Sequence, residues 1–278
     1  LRIHGYKVDI INYEVPPVNV SKEKKTFIRK LLYQPKKYAI KFALNRYKSR
    51  IVERDRKLNN SISTKCILTP KIETIDELIK TCNEFDLLIC GSDQIWNPNW
   101  YDKFYFADYD GITTNRISYA PSMGVNAIPD SVVAEIQHGL KQFKAVSVRE
   151  EKAAELLAPY LTDKPQVVVD PTLLLTSEEW LDIFPEDAYE GNDYVFAFFL
   201  NDEKRHLEAA KKFAKRLNNK LILVPYKGTT YLQNADIRAD AGLEDMLNLI
   251  RNAKYVITDS FHITVFSIIY RKQFYTFQ

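Results

Sequence analysis

Four short strings place hydroxyls, carboxylates, an arginine and a histidine directly after apolar runs, where a parallel α/β sheet presents polar groups at the carboxyl ends of its strands. The first is Gly91-Ser92-Asp93-Gln94-Ile95-Trp96-Asn97-Pro98, after a run ending at Cys90. Gly91 permits close backbone approach, and Ser92, Asp93, Gln94 and Asn97 offer polar contacts to a ligand. Asp93 could take a proton from a sugar hydroxyl or simply hydrogen-bond it, while Trp96, Trp100 and Tyr101 could stack on a sugar's C–H face. The alternative is that Asp93 caps the next turn and the aromatics pack the wall of a cleft. The second string, Tyr119-Ala120-Pro121-Ser122-Met123-Gly124, is a tight turn whose N–H groups, with Ser122, could cradle an anion; a purely structural turn stands equally open. In the third, Val146-Ser147-Val148-Arg149-Glu150-Glu151, Arg149 sits where a strand gives way to a helix, and its fork suits a carboxylate or phosphate. Its alternative is a structural ion pair. In the fourth, Thr258-Asp259-Ser260-Phe261-His262, the histidine falls in the first turn of a helix, an anion-friendly place. Asp259 and Ser260 flank it as further contacts. His4, His138 and His206 read as surface or incidental residues.

The elements that must position these strings alternate. Strands are expected at Lys7 to Tyr13, Phe85 to Cys90, Arg116 to Tyr119, Ala145 to Val148 and Gln166 to Val169, with helices at 75–82, at 132–143 with Asp130 as N-cap, and at 150–161. The pattern restarts with strands Tyr194 to Leu200, Lys220 to Val224, Tyr255 to Thr258 and Gln273 to Phe277. Between them run helices carrying Leu207, Ala210, Phe213, Ala214 and Leu217, then Leu243, Met246, Leu247 and Ile250, then a helix from Phe261. Short, nearly continuous apolar strands between helices imply parallel sheets covered on both faces. The fold class is therefore α/β, with two Rossmann-like doubly wound domains facing a cleft, 1–180 and 192–278. The acidic stretch Thr176 to Asp193, with Pro185 and Gly191, is the expected linker. Leu1 to Gly5 reads as the end of a helix whose beginning is missing, and the chain stops just after a strand, so both domains are expected to be truncated.

The sequence has 278 residues, 46% of them hydrophobic, and only eight glycines. Neither G-x-G-x-x-G nor G-x-x-x-x-G-K-[ST] occurs, so a dinucleotide or P-loop site has no support. Cys66, Cys82 and Cys90 form no C-x-x-C pair and read as structural, in keeping with a reducing, cytoplasmic setting. No metal cluster is expected. The net charge of +3 conceals an asymmetry: residues 22–57 carry +11 and the remainder −8. Apolar positions Phe27, Leu31, Ile40, Phe42, Ala43, Tyr47 and Ile51 recur within that basic stretch at roughly helical spacing. It is read as a helical insertion in the first domain, either simply solvated or docking on an anionic membrane surface at the inner face of the plasma membrane. Nucleic acid is not expected as a partner, because no binding motif accompanies the charge.

Taken together, Gly5-Tyr6-Lys7-Val8, the Gly91 to Pro98 string, Val148-Arg149-Glu150, Val169-Asp170-Pro171-Thr172 and Thr258 to His262 with Phe266-Ser267-Ile268 resemble the polysaccharide pyruvyl transferase family, in order and over nearly the whole chain. The resemblance implies a GT-B-like fold and a bacterial enzyme of exopolysaccharide or other cell-surface polysaccharide biosynthesis. Its donor substrate would be phosphoenolpyruvate, with no further cofactor, and its acceptor a sugar or a lipid-linked oligosaccharide. The transferred pyruvyl group would become a ketal. His262 would act as proton donor, Arg149 would hold the donor's carboxylate or phosphate, and Asp93 would orient or deprotonate the incoming hydroxyl. One departure stands out: the family's Ser-x-Arg-Leu-His string has Ser260 here at the arginine position, so that cationic contact is either missing or comes from elsewhere, for example Lys227 or Arg271. The rival readings are a glycosyltransferase of the same architecture using a nucleotide sugar, and a non-catalytic sugar- or phosphate-binding module.

Overall fold

The basic stretch folds as helix α1 (Phe27–Arg46) and helix α2 (Lys48–Lys65). Backbone bonds from Tyr47 to Ala43 and from Ile51 to Tyr47 carry across the junction, so the pair runs almost as one helix. The computed structural model describes residues 5–13, 27–186, 191, 193–201 and 204–277; residues 1–4, where a helix end was expected, lie outside them. The chain forms two compact units, Leu1–Val20 with Ile67–Leu174, and Ser21–Cys66 with Leu175–Gln278.

In the first unit, helix α3 (Ile75–Cys82) starts at a capping box in which Thr74 and Glu77 satisfy each other's backbone N–H groups. Strand β1 (Leu87–Cys90) pairs in parallel with β2 (Asn115–Ser118). Helix α4 (Val133–Leu140) follows a 3-10 turn at Asp130–Val132, and its N-cap is Val132, not the expected Asp130. Strand β3 (Ser147–Val148), helix α5 (Glu151–Leu157) and strand β4 (Gln166–Val167) complete the unit, with β3 and β4 parallel. A parallel bridge from Ile117 to Ala145 continues the ladder from β2 toward β3. The expected strand at Lys7 to Tyr13 is reduced to parallel bridges from Ile10 to Leu68 and from Tyr13 to Ile72.

The second unit opens with helix α6 (Ser177–Ile183), inside the stretch expected to be a linker. Its acids are helix-start residues: Thr176 and Glu179 form a capping box, and Glu178 lies in the first turn. Trp180 stacks on Phe184 and meets Phe266 edge-on, so this segment joins the core. Strand β5 (Tyr194–Phe198), helix α7 (Lys204–Arg216), strands β6 (Lys220–Leu223) and β7 (Asp236–Ile237), helix α8 (Leu243–Asn252), strand β8 (Tyr255–Thr258), helix α9 (Phe261–Ile269) and strand β9 (Gln273–Thr276) follow. The five strands form one parallel sheet in the order β7-β6-β5-β8-β9. Alternate residues of β5 face two cores. Tyr194 and Phe196 pack with Leu247, Ile250, Ile263 and Phe266, whereas Val195 and Ala197 pack with Ala210, Ala214 and Ile237. Burial on both faces is why β5 reads as a continuous apolar run.

The helical pair belongs to this second unit and not, as its place in the sequence suggests, to the first. Ala43, Tyr47 and Ile51 close the core that holds Val195 and Ala197. Gly228 makes room for α1, since a Cβ there would lie 2.6 Å from Ile40 Cγ2. The α/β class with parallel sheets agrees with the sequence reading, and the second sheet is doubly wound.

Candidate functional site

In the first unit, Ser92, Asp93, Arg149 and Asp170 converge after β1, β3 and β4. Gly91 has φ +142°, and a Cβ on it would overlap the carbonyl oxygen of Tyr119. Only glycine lets the loops after β1 and β2 come so close. Ser92 Oγ donates to Asp170 Oδ2 at 3.0 Å and accepts from Asp93 N at 2.6 Å. Asp93 adopts φ +60°, and its side chain remains 66% exposed. Its Oδ1 accepts from Gln94 N at 2.8 Å, so it caps the turn while facing solvent. Gln94 Oε1 accepts from Asn97 Nδ2, and the buried Asn97 in turn accepts from Asn99 N through Oδ1. These two residues brace the loop.

Trp96 does not offer a stacking face. It is 1% exposed, its ring lies 4.8 Å from Phe106 at 5°, and its Nε1 donates to the carbonyl of Tyr105. The packing alternative holds for it; Trp100 is the exposed tryptophan of the string.

Arg149 anchors on Asp170. Nη1 donates to Asp170 Oδ2 at 2.9 Å, while Nη2 stands 3.8 Å from Asp93 Oδ1 and Nε 3.9 Å from Glu150 Oε2. Asp170 is 1% exposed at its side chain and also accepts from Thr172 N. Burial pushes its carboxyl pKa up, but hydrogen bonds from Thr172, Arg149 and Ser92 outweigh it and hold the group below the usual carboxylate range. The ion-pair alternative for Arg149 is thus realised, yet with a guanidinium turned toward an exposed carboxylate. The Ser122 turn holds an anion of its own: Glu150 Oε1 accepts from Ser122 Oγ at 2.8 Å, Met123 N at 2.9 Å and Gly124 N at 3.3 Å. Asp170 and Glu150 were not singled out as site residues from sequence, although Asp170 stands in a post-strand Asp-Pro-Thr string.

A depressed folded-state pKa contributes stability that is present above the unfolded value, about 3.9 for Asp, and is lost as pH falls through the folded value. Asp170→Asn is therefore expected to unfold at lower urea than the parent at neutral pH, with the gap closing at acid pH. A gap that does not change with pH would rule out this role for the Asp170 charge.

In the second unit the chain leaves β5 for β6 and β7 on one side, then returns to β8 on the other. The carboxyl ends of β5 and β8 flank this switch point, where open α/β sheets bind ligands. The Thr258 to His262 turn lies there. Thr258 Oγ1 donates to the carbonyl of Phe198 at 2.7 Å and accepts from Ser260 N at 3.0 Å. The side chain of Asp259 is buried and accepts from Leu200 N at 2.6 Å and Asn201 N at 3.1 Å, tying the two strand ends together. Ser260 is buried as the N-cap of α9, its Oγ accepting from Ile263 N. An arginine could not make that cap. Both residues are thus committed to building the turn. His262 is half-buried in the first turn of α9, edge-on to the exposed Phe261 at 5.3 Å.

His206 is not a surface residue. It is buried in α7, stacks on Phe277 at 3.9 Å, and brings Nδ1 to 3.4 Å from Asp259 Oδ2. His138 is exposed with Nδ1 2.8 Å from Asp108, and His4 lies outside the described residues. Of the two cations considered in place of the family arginine, Lys227 follows β6 at the carboxyl end of the sheet, whereas Arg271 precedes β9 at the amino end. A cavity of about 460 Å³, lined by Asp193, Arg251, Lys254 and Lys272 among others, also opens at the amino ends, away from the His262 turn. Burial pushes the Cys90 thiol up to about 12, so it stays protonated at neutral pH.

A family model described as polysaccharide pyruvyl transferase matches residues 1–278. No curated protein matches the chain in sequence. Among solved structures the chain is similar to the UDP-GlcNAc 2-epimerase from Methanocaldococcus jannaschii, at 13% identity and a TM-score of 0.47, over 76% of this chain and 69% of that one. It is also similar to the Methanocaldococcus jannaschii UDP-GlcNAc 2-epimerase in complex with UDP-GlcNAc and UDP, at 13% identity and a TM-score of 0.41, over 76% and 68%.

Proposed function

The chain belongs to the polysaccharide pyruvyl transferase family, and from that premise we propose that it transfers a pyruvyl group from phosphoenolpyruvate to two hydroxyls of a sugar in a polysaccharide or its precursor, as a ketal. The observation that carries the donor assignment is Arg149, whose guanidinium is fixed through Nη1 on the buried Asp170 and directs Nη2 toward the exposed Asp93. A preoriented fork of this kind suits a carboxylate or phosphate oxygen pair.

The reaction's needs distribute over few groups. The donor's methylene carbon gains a proton and becomes a methyl group, the adjacent carbon takes both sugar oxygens, and the ester oxygen leaves with phosphate. The two hydroxyl protons balance these changes, one accounting for the methyl group and one for the departing phosphate. His262 is the proton donor to carbon, Arg149 grips the donor's anionic end, and Asp93 orients the incoming hydroxyl and takes its proton. The work is cytoplasmic, where phosphoenolpyruvate is available.

Thermal unfolding in the presence of phosphoenolpyruvate, beside a panel of nucleotide sugars, tests the donor. A ligand of the native state raises the midpoint progressively with concentration. A rise with phosphoenolpyruvate that Arg149→Lys blunts supports the reading. A rise with a nucleotide sugar alone would make the chain a glycosyltransferase, and a rise with phosphoenolpyruvate but no turnover on any acceptor would favour a binding module.

A further inference from the structure

We propose that the outer face of α1 is a docking surface for an anionic lipid bilayer. The structure divides the basic segment into two parts with different fates. Along the middle of α2, from Arg50 to Lys57, the charges are consumed inside the second unit or along the helix itself: Arg50 pairs with Asp240, Lys57 with Asp245, Arg56 with Glu53 and Arg54 with Asp55. Those pairs seat the helix. On α1 and at the first residue of α2, Lys37, Lys41, Arg46 and Lys48 are exposed and carry no ion pair among the described residues. Between them stand two large aromatic side chains one turn apart, Tyr38 at 67% and Phe42 at 76% exposure. Both lie on the side of the helix opposite Ile40 and Ala43, which pack inward against Gly228 and the sheet core.

A helix that buries one stripe in its own domain gains nothing from presenting a phenyl ring and a phenol to water. Aromatics flanked by lysines match the boundary of a negatively charged membrane, where rings enter the interfacial layer and ammonium groups meet headgroup phosphates. No helix among the described residues is long and apolar enough to cross a membrane, so the face would lie on the bilayer without spanning it. Charge complementarity selects the lipid: residues 22–48, ahead of the paired charges of α2, carry +9 against −6 for the rest of the chain, so the segment attracts anions as a local feature.

The test is cosedimentation of the whole protein with vesicles of phosphatidylcholine alone and with one part phosphatidylglycerol to two parts phosphatidylcholine. Binding is expected to the anionic vesicles only, and to weaken in high salt. Phe42→Ser, and separately Lys37→Gln with Lys41→Gln, should each lower the partition on the order of tenfold, with unchanged melting curves because all three positions are exposed. Equal binding to both vesicle types, no binding to either, or binding indifferent to both variants would overturn the proposal. So would a light-scattering mass of two chains that returns to one in Phe42→Ser, which would assign the face to a second copy.

Discussion

His262→Ala is expected to lower pyruvyl turnover by about two to four orders of magnitude, the usual contribution of a positioned general acid, while the melting midpoint still rises with phosphoenolpyruvate. Structure and function separate cleanly at this position. The cap of α9 is made by Ser260, and the tie between the ends of β5 and β8 is made by Asp259, so neither depends on the imidazole. The ring is half-buried and lies edge-on to an exposed phenylalanine, so its loss should cost about 0.5–3 kcal/mol in urea denaturation, the usual range for a point substitution. Turnover is read by phosphate release with an acceptor present. Undiminished turnover would remove His262 from the mechanism, and collapse of the fold would make it a structural residue.

Arg149→Ala should produce two losses at once. Without the guanidinium, Asp170 is left as a buried carboxylate that has lost its charged partner, and breaking such a pair typically costs about 3–5 kcal/mol. Donor binding should weaken on the order of 10–100-fold, the scale of one or two charge-assisted hydrogen bonds. A second substitution separates the effects. In Arg149→Ala with Asp170→Asn the stranded charge is gone, so much of the stability should return while phosphoenolpyruvate still fails to raise the midpoint. If that double variant recovers the donor response as well, Arg149 is a structural counter-charge and nothing more.

The sheets were legible because strands buried on both faces leave apolar runs, and Tyr194–Phe198 is such a run. The strand-to-helix turn before His262 was legible too, since one apolar run breaks there into Thr-Asp-Ser and a second apolar run follows. What failed did so for physical reasons. Acids at Glu178 and Glu179 look like linker composition, yet the same residues suit a helix start, and only the burial of Phe184 separates the two. Trp96 gave no sign of direction, because an aromatic beside polar residues reads the same whether it faces solvent or Phe106. Asp170 and Arg149 lie 21 positions apart, and no local pattern announces their pairing. His206 had a usable signal: it stands four residues before Ala210, on the apolar stripe of α7, where a histidine should be read as buried.

The seat of α1 and α2 also governs how the molecule can be made. The chain passes from one unit to the other three times, and the contacts that hold the helical pair join residues 190 and 188 positions apart, Arg50 with Asp240 and Lys57 with Asp245. On the ribosome these helices emerge long before the sheet that receives them. Until β5 to β8 follow, the stripe of Ala43, Tyr47 and Ile51 has no native partner, and closing so long a loop delays its burial. The second unit is therefore the slow, late-completing part of synthesis. Its early helices present an apolar stripe during that interval, the point at which a nascent chain of this design most needs a chaperone's shelter.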